Sequence, residues 1–196
     1  MSQPDLLHAP KPVIHAFEQL GIPYYLGGSV ASSVYGLARA TLDVDLVADI
    51  AVDQVSSLVG LWRPAYYLDE QMIRDALVNC SCFNLIHLDT MMKVDVFIPR
   101  QDPYHRAARA RKRRDRLVEE DPDSVVYLCS PEDIILSKLH WYEMGGRVSE
   151  RQWLDILGVL KVQGDALDRE YLITWSKVVG VFDLLEQAFS EAGMPL

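Results

Sequence analysis

The spacing of apolar residues changes several times along the chain, and each change marks an element. Val13, Ile14, Phe17 and Leu20 recur at three- and four-residue intervals, so Pro12 to Leu20 is predicted as a helix with Gly21 as its stop. Ile22 to Leu26 is a short apolar run, predicted as the first strand. Val30, Val34 and Leu37, with Ala31 and Ala38 beside them, return to helical spacing for about three turns. From Leu42 to Ala48 the period falls to two, which puts Leu42, Val44 and Leu46 on one face of a second strand and Asp43 and Asp45 on the other.

Further along, Asp53 to Leu61 is predicted as a helix capped by Asp53, and Trp62 to Leu68 as a short strand interrupted at Pro64. Met72, Ile73, Ala76 and Leu77 predict a helix over Glu70 to Val78. Cys82 to Leu88 and Met92 to Ile98 form a hairpin pattern turning at Asp89-Thr90. On its second arm Lys93, Asp95 and Phe97 share one face. Tyr104 to Arg116, rich in Ala and Arg, reads as an exposed helix, and Val125 to Leu128 as another strand. Ser130-Pro131-Glu132-Asp133 has the form of a helix start, and Gly145-Gly146 ends that helix. Ser149 opens the next, with Trp153, Ile156, Leu157 and Leu160 as its apolar stripe; Tyr171 to Val179 and Val181 to Phe189 complete a helical C-terminal part. Strands interleaved with helices and followed by helices alone predict an α/β (α+β) fold, a mixed sheet flanked by helices.

Composition narrows the class. A chain of 196 residues makes one domain, or one with a small helical appendage, and buries roughly 70% of its unfolded surface. No apolar run reaches the ~18 residues that span a bilayer, and Met1 to Asp5 has no signal-peptide pattern, so a soluble cytoplasmic protein without a membrane partner is expected. Cys80, Cys82 and Cys129 lack paired zinc-site spacing and read as reduced structural thiols. The five histidines are scattered without ligand spacing. The net charge is −9, yet the stretch from Arg100 to Arg116 carries +6, which leaves −15 on the rest. Such asymmetry points to a local anionic partner rather than a surface that coats nucleic acid.

The candidate chemistry lies in Gly27 to Asp45. Gly27 and Gly28 let backbone approach a bulky anion, the following helix start offers free N–H groups, and Ser29 adds a hydroxyl; the bland alternative is a plain strand-to-helix turn. Asp43 and Asp45 on one strand face repel unless a divalent cation sits between them; as solvated strand acids they would mean nothing more. Asp95 joins them if its strand is their neighbour. Arg39 neutralises phosphate charge or pairs with a strand acid, and Thr41 buttresses the site. No P-loop or G-x-G-x-x-G string occurs.

Gly28-Ser29, then Asp43-Val44-Asp45-Leu46, then the lone acid in Lys93-Val94-Asp95-Val96-Phe97 resemble the nucleotidyltransferase superfamily typified by DNA polymerase beta. Arg39-x-Thr41-x-Asp43-x-Asp45, with the later Lys138 and Asp155, is similar to the AbiEii-like branch known for toxin–antitoxin pairs. The resemblance covers Gly27 to about Asp155. It implies a catalytic core over residues 1–129 and a C-terminal helical part over 130–196 packed on that core. It also implies Mg²⁺ or Mn²⁺ held by Asp43, Asp45 and Asp95, with Asp95 serving the attacking hydroxyl. Gly27, Gly28, Ser29, Arg39, Thr41, Lys138 and Asp155 would bind the nucleotide, ATP among the candidates, with Asp155 positioning Lys138 or the acceptor. Without the resemblance, Lys138 reads as a snorkelling surface lysine, and Asp155 as the i,i+4 partner of Arg151. The activity implied is transfer of NMP from an NTP to a hydroxyl on an RNA end, a protein or a small molecule, in a toxin role with an antitoxin partner. The run Arg106 to Arg116 is either a solvated face, a cover for the triphosphate or an RNA contact. Two other readings stand beside these: a nucleotide-binding module without turnover, and a plain RNA-binding protein.

Overall fold

The computed structural model describes residues 8–41, 43–117 and 124–196. Leu42 and Met1 to Asp5, on which two of the sequence expectations fall, lie outside them. The elements run α1 (Lys11–Gln19), β1 (Tyr24–Leu26), α2 (Gly28–Tyr35), β2 (Asp43–Ala48), α3 (Val55–Trp62), β3 (Tyr66–Tyr67), α4 (Glu70–Asn79), β4 (Cys82–His87) and β5 (Lys93–Phe97). Then come α5 (Pro103–Ala110), β6 (Arg113–Arg116), β7 (Val125–Leu128), α6 (Pro131–Met144), α7 (Glu150–Gln163), α8 (Arg169–Val179) and α9 (Phe182–Ala192). This is the expected mixed α/β class. The chain divides into two compact units: Met1–Leu26, Thr41–Gln101 and Arg114–Tyr127 form the first; Gly27–Ala40, Asp102–Arg113 and Leu128–Leu196 the second.

The first unit is built on the sheet, whose strand order is β3-β4-β5-β2-β1-β7-β6. β2 is antiparallel to β1 and parallel to β5, and β5 is antiparallel to β4, the expected hairpin. Val44, Leu46, Val94 and Val96 have no exposed surface, because alternation sends them all to the core face. Phe83 of β4, paired with Val96, is buried beside them and lies 6.3 Å from Trp62 of α3, against which Phe17 of α1 packs edge-on at 5.6 Å between ring centres.

The second unit is helical, and its helix starts are written in the sequence. Ser130 accepts the Asp133 N–H at 3.1 Å to begin α6, Ser149 accepts that of Gln152 to begin α7, and Asp168 that of Tyr171 at 3.0 Å to begin α8. α2 packs on α6 and α7, and α9 on α7 and α8.

Four expectations are corrected. The helix expected to run through Ala38 stops at Tyr35, because Gly36 lies against α7: a Cβ there would stand 2.8 Å from the Val159 nitrogen and 2.9 Å from the Gly158 carbonyl carbon. Leu37, counted as an apolar helical position, is 71% exposed. The basic stretch is not one exposed helix: α5 ends at Ala110 and Arg113–Arg116 is an edge strand. The strand expected at Trp62 to Leu68 shrinks to Tyr66–Tyr67, since Trp62 still belongs to α3. Asp53 sits in a 3₁₀ turn, where Gln54 instead accepts the Ala51 N–H at 3.0 Å and donates to the Leu20 carbonyl at 3.2 Å.

Candidate active site

The three candidate acids lie in the first unit, on the sheet face opposite its apolar core. Parallel pairing places Asp43 beside Lys93, Asp45 beside Asp95 and Val47 beside Phe97, and the antiparallel pair adds Asn84 on the far side of Asp95. Asn84, Asp95 and Asp45 therefore form one row across three strands, neighbours about 4.8 Å apart along the hydrogen-bonding direction. Asp43 is exposed, and Asp45 and Asp95 are half-buried. Thr41 fixes the entry to β2: its hydroxyl donates to the Asp43 carbonyl at 3.1 Å and accepts the Asp43 N–H at 3.4 Å.

Lys93 stands among these acids. Its Nζ is 2.8 Å from Asp95 Oδ2. The hydrogen bond to Asp95 is the main reason its pKa is raised; burial opposes, and the charges of Asp95, Asp43 and Asp45 add to the rise. Cys82, expected to be structural, lies at the end of the same face, exposed as a residue but with its sulfur part-buried against the Phe83 carbonyl. Burial, then Asp95 and Asp45, push its thiol up to about 12, so it stays protonated at neutral pH. Carboxylate oxygens side by side are the donor set that suits a hard divalent cation, so the residue types fit Mg²⁺ or Mn²⁺. Among the described residues no three His, Cys, Asp or Glu side chains close into a metal-holding group.

The second unit gathers Ser29, Arg39, Lys138 and Asp155. Gly27 caps α2, and Gly28, at φ +52, takes the left-handed conformation that glycine accepts without strain. Arg39 grips both oxygens of Asp155, Nε to Oδ1 and Nη2 to Oδ2, each at 2.9 Å, and its Nη2 also donates to Ser29 Oγ. Lys138 Nζ reaches Asp155 Oδ2 at 2.7 Å. The side chains of Lys138 and Asp155 are only 9% and 7% exposed, so Lys138 does not snorkel to the surface, and the bonds of Asp155 go to Lys138 and Arg39. Burial would push Asp155 up, but the hydrogen bonds from Arg39 and Lys138 win and hold it below the usual carboxylate range. Asp155 thus gathers two cations near the start of α2, where the helix itself favours an anion.

Sequence reasoning missed a second buried polar cluster in this unit. Asp133 accepts hydrogen bonds from the Ser130 hydroxyl at 2.7 Å and the Tyr171 hydroxyl at 2.8 Å. Arg111 pairs with Glu132 at 3.1 Å and Asp168 at 3.3 Å, with its guanidinium carbon 4.1 Å from the Tyr171 ring centre. Burial raises Asp133. Burial also acts to raise Glu132, but the Asp168 N–H and Arg111 outweigh it and hold Glu132 low. The one signal was two acids in the first turn of α6, which reads equally well as a solvated helix start.

No protein-family model and no curated protein sequence matches the chain. Solved structures do match. An antigenic nucleotidyltransferase-like protein from Paracoccidioides brasiliensis superposes with a TM-score of 0.53 at 17% identity, over 91% of this chain and 88% of that one. This chain has the nucleotidyltransferase fold. ANT(2'')-Ia in complex with adenylyl-2''-tobramycin matches at 0.53 with 12% identity, covering 89% of this chain and 96% of its own. The solution structure of the antibiotic-resistance factor ANT(2'')-Ia matches at 0.51 with 11% identity, over 92% and 95%. Within the nucleotidyltransferase fold, the residues singled out from the sequence fall into two groups: Thr41 and the acids on the sheet, and the Ser29, Arg39, Lys138 and Asp155 set among the helices.

Proposed function

We propose that this protein is a metal-dependent nucleotidyltransferase that moves an NMP from an NTP to an acceptor hydroxyl. The register that sets Asp45 beside Asp95, two residues along from Asp43, is the observation that supports it most. Asp43, Asp45 and Asp95 would hold Mg²⁺ or Mn²⁺, which when bound would offset the negative charge that develops on the transferring phosphate. Gly27, Gly28, Ser29, Arg39 and Lys138 would bind the triphosphate, and Asp155 would position Arg39 and Lys138 for it. The acceptor oxygen forms a bond to the α-phosphorus as the α–β bridging bond breaks. Pyrophosphate leaves, and the hydroxyl proton passes to the Asp95 carboxylate on its way to water. Catalysis is then positioning plus electrostatics.

For the acceptor we favour a small hydroxyl compound. The net charge of −9 suits a neutral or cationic acceptor better than RNA, and Arg111, inside the basic run, is already committed to Glu132 and Asp168. ANT(2'')-Ia, with its adenylyl-tobramycin, is a structural match of that kind. The exposed Arg113 and Arg114 of β6 favour a second reading, an RNA end as acceptor, in which a toxin role with an antitoxin protein becomes relevant.

The test is transfer of α-labelled ATP, CTP, GTP and UTP, with Mg²⁺ or Mn²⁺, to aminoglycosides, total RNA and protein. We expect label on one class, reduced at least about a hundredfold in Asp43→Asn/Asp45→Asn. No label on any acceptor, with nucleotide affinity that survives Asp95→Ala, would replace the enzyme by a non-catalytic binding module.

A further inference from the structure

Of the nine residues that β2, β4 and β5 place on the acidic face, three are acids and one is a cation. That cation, Lys93, sits opposite Asp43 in the register and two residues before Asp95 on the same strand, with its Nζ 2.8 Å from Asp95 Oδ2. We propose that Lys93 is a resident counter-ion that competes with the divalent cation for Asp95, so that the protein takes up its ion by displacing its own ammonium group. The inference rests on the metal reading given above and adds a determinant of how tightly the ion binds.

Three carboxylates on adjacent strand positions repel, and a face without any cation would raise their protonation or destabilise the sheet. Lys93 relieves this with a single charge. A lysine suits the task because its ammonium is a compact, strongly hydrated charge on a flexible four-carbon stem, whereas an arginine would grip the carboxylate with a two-pronged fork. The Lys93 side chain is 42% exposed and that of Asp95 14%. The ammonium can therefore leave for water by side-chain rotation alone, while the carboxylate stays where it is. A pair closed about nine-tenths of the time lowers the apparent affinity of a competing ion about tenfold.

Binding of Mn²⁺ to the full chain, followed by the electron paramagnetic resonance signal of the free ion, tests this without any turnover. Lys93→Met is expected to bind Mn²⁺ about tenfold more tightly than wild type; Lys93→Arg should bind no more tightly than wild type, and Asp45→Asn should lose binding. If Asp45→Asn abolishes binding but Lys93→Met binds no tighter than wild type, the competition is refuted and the metal reading stands. If no protein binds Mn²⁺, the metal reading falls and this inference with it. A second measurement needs no variant to fold beyond one used for assignment: the Lys93 side-chain ammonium resonance of the wild-type chain should shift as Mg²⁺ saturates the protein, and a resonance that stays put at saturation overturns the proposal.

Discussion

Asp155 holds Arg39 through two hydrogen bonds and Lys138 through a third, so the charge on one carboxylate orders two cations. Its folded-state pKa lies below the unfolded one. The stabilisation it brings is therefore complete at neutral pH and is lost as pH falls through the folded-state value, below the usual carboxylate range. Asp155→Asn should cost about 3 kcal/mol at pH 7, because it leaves two poorly solvated cations short of their partner. The gap to wild type should close in acid, as seen in urea midpoints measured from pH 7 down to pH 2.5. Arg39, Lys138 and Asp155 were each legible as candidates, and Asp155 as a partner for Lys138, but the pairing of Arg39 with the helix acid Asp155, where a strand acid was expected, was not. The contact between residues 39 and 155 spans 116 positions, and no local spacing announces it. Lys93 and Asp95 were easier, since residues two apart on a strand share a face wherever the strand goes.

At the scale of elements, the parts with a clean period were the ones read correctly. β2 and β5 alternate buried positions with exposed or half-buried ones along their length, and Ser130 and Ser149 cap α6 and α7 as expected, whereas α8, expected from Tyr171, begins at Arg169 behind an Asp168 cap. What failed depended on distant partners. The end of α2 is set by the backbone of α7, and the basic stretch breaks where Arg111 turns toward Glu132 and Asp168. Gly36 carries the first of these. Gly36→Ala would drive a methyl group to within 2.8 Å of the Val159 backbone nitrogen, and backbone has no rotamer with which to yield. We expect a loss of about 3 kcal/mol or failure to fold, measured by chemical denaturation, although alanine is otherwise the milder helix residue.

For the molecule as a whole, charge sets the working range. The net charge of −9 at pH 7 shrinks toward zero near the isoelectric point of 5.0. Self-association should rise as pH approaches that value, visible in light scattering between pH 7 and pH 5, and should fall again below it. β2 and β5, which build the acidic face, are parallel, and Asp45 meets a residue 50 positions later in the chain. At a synthesis rate of roughly 5–20 residues per second, β2 emerges several seconds before the strand that will lie against it. During that interval one edge of an apolar strand carrying Val44, Leu46 and Val47 stands open to any passing chain. Asp43 and Asp45 sit on the same strand, and charge on an open edge discourages such pairing. The two carboxylates thus guard the newborn strand against aggregation before they have any partner to work with.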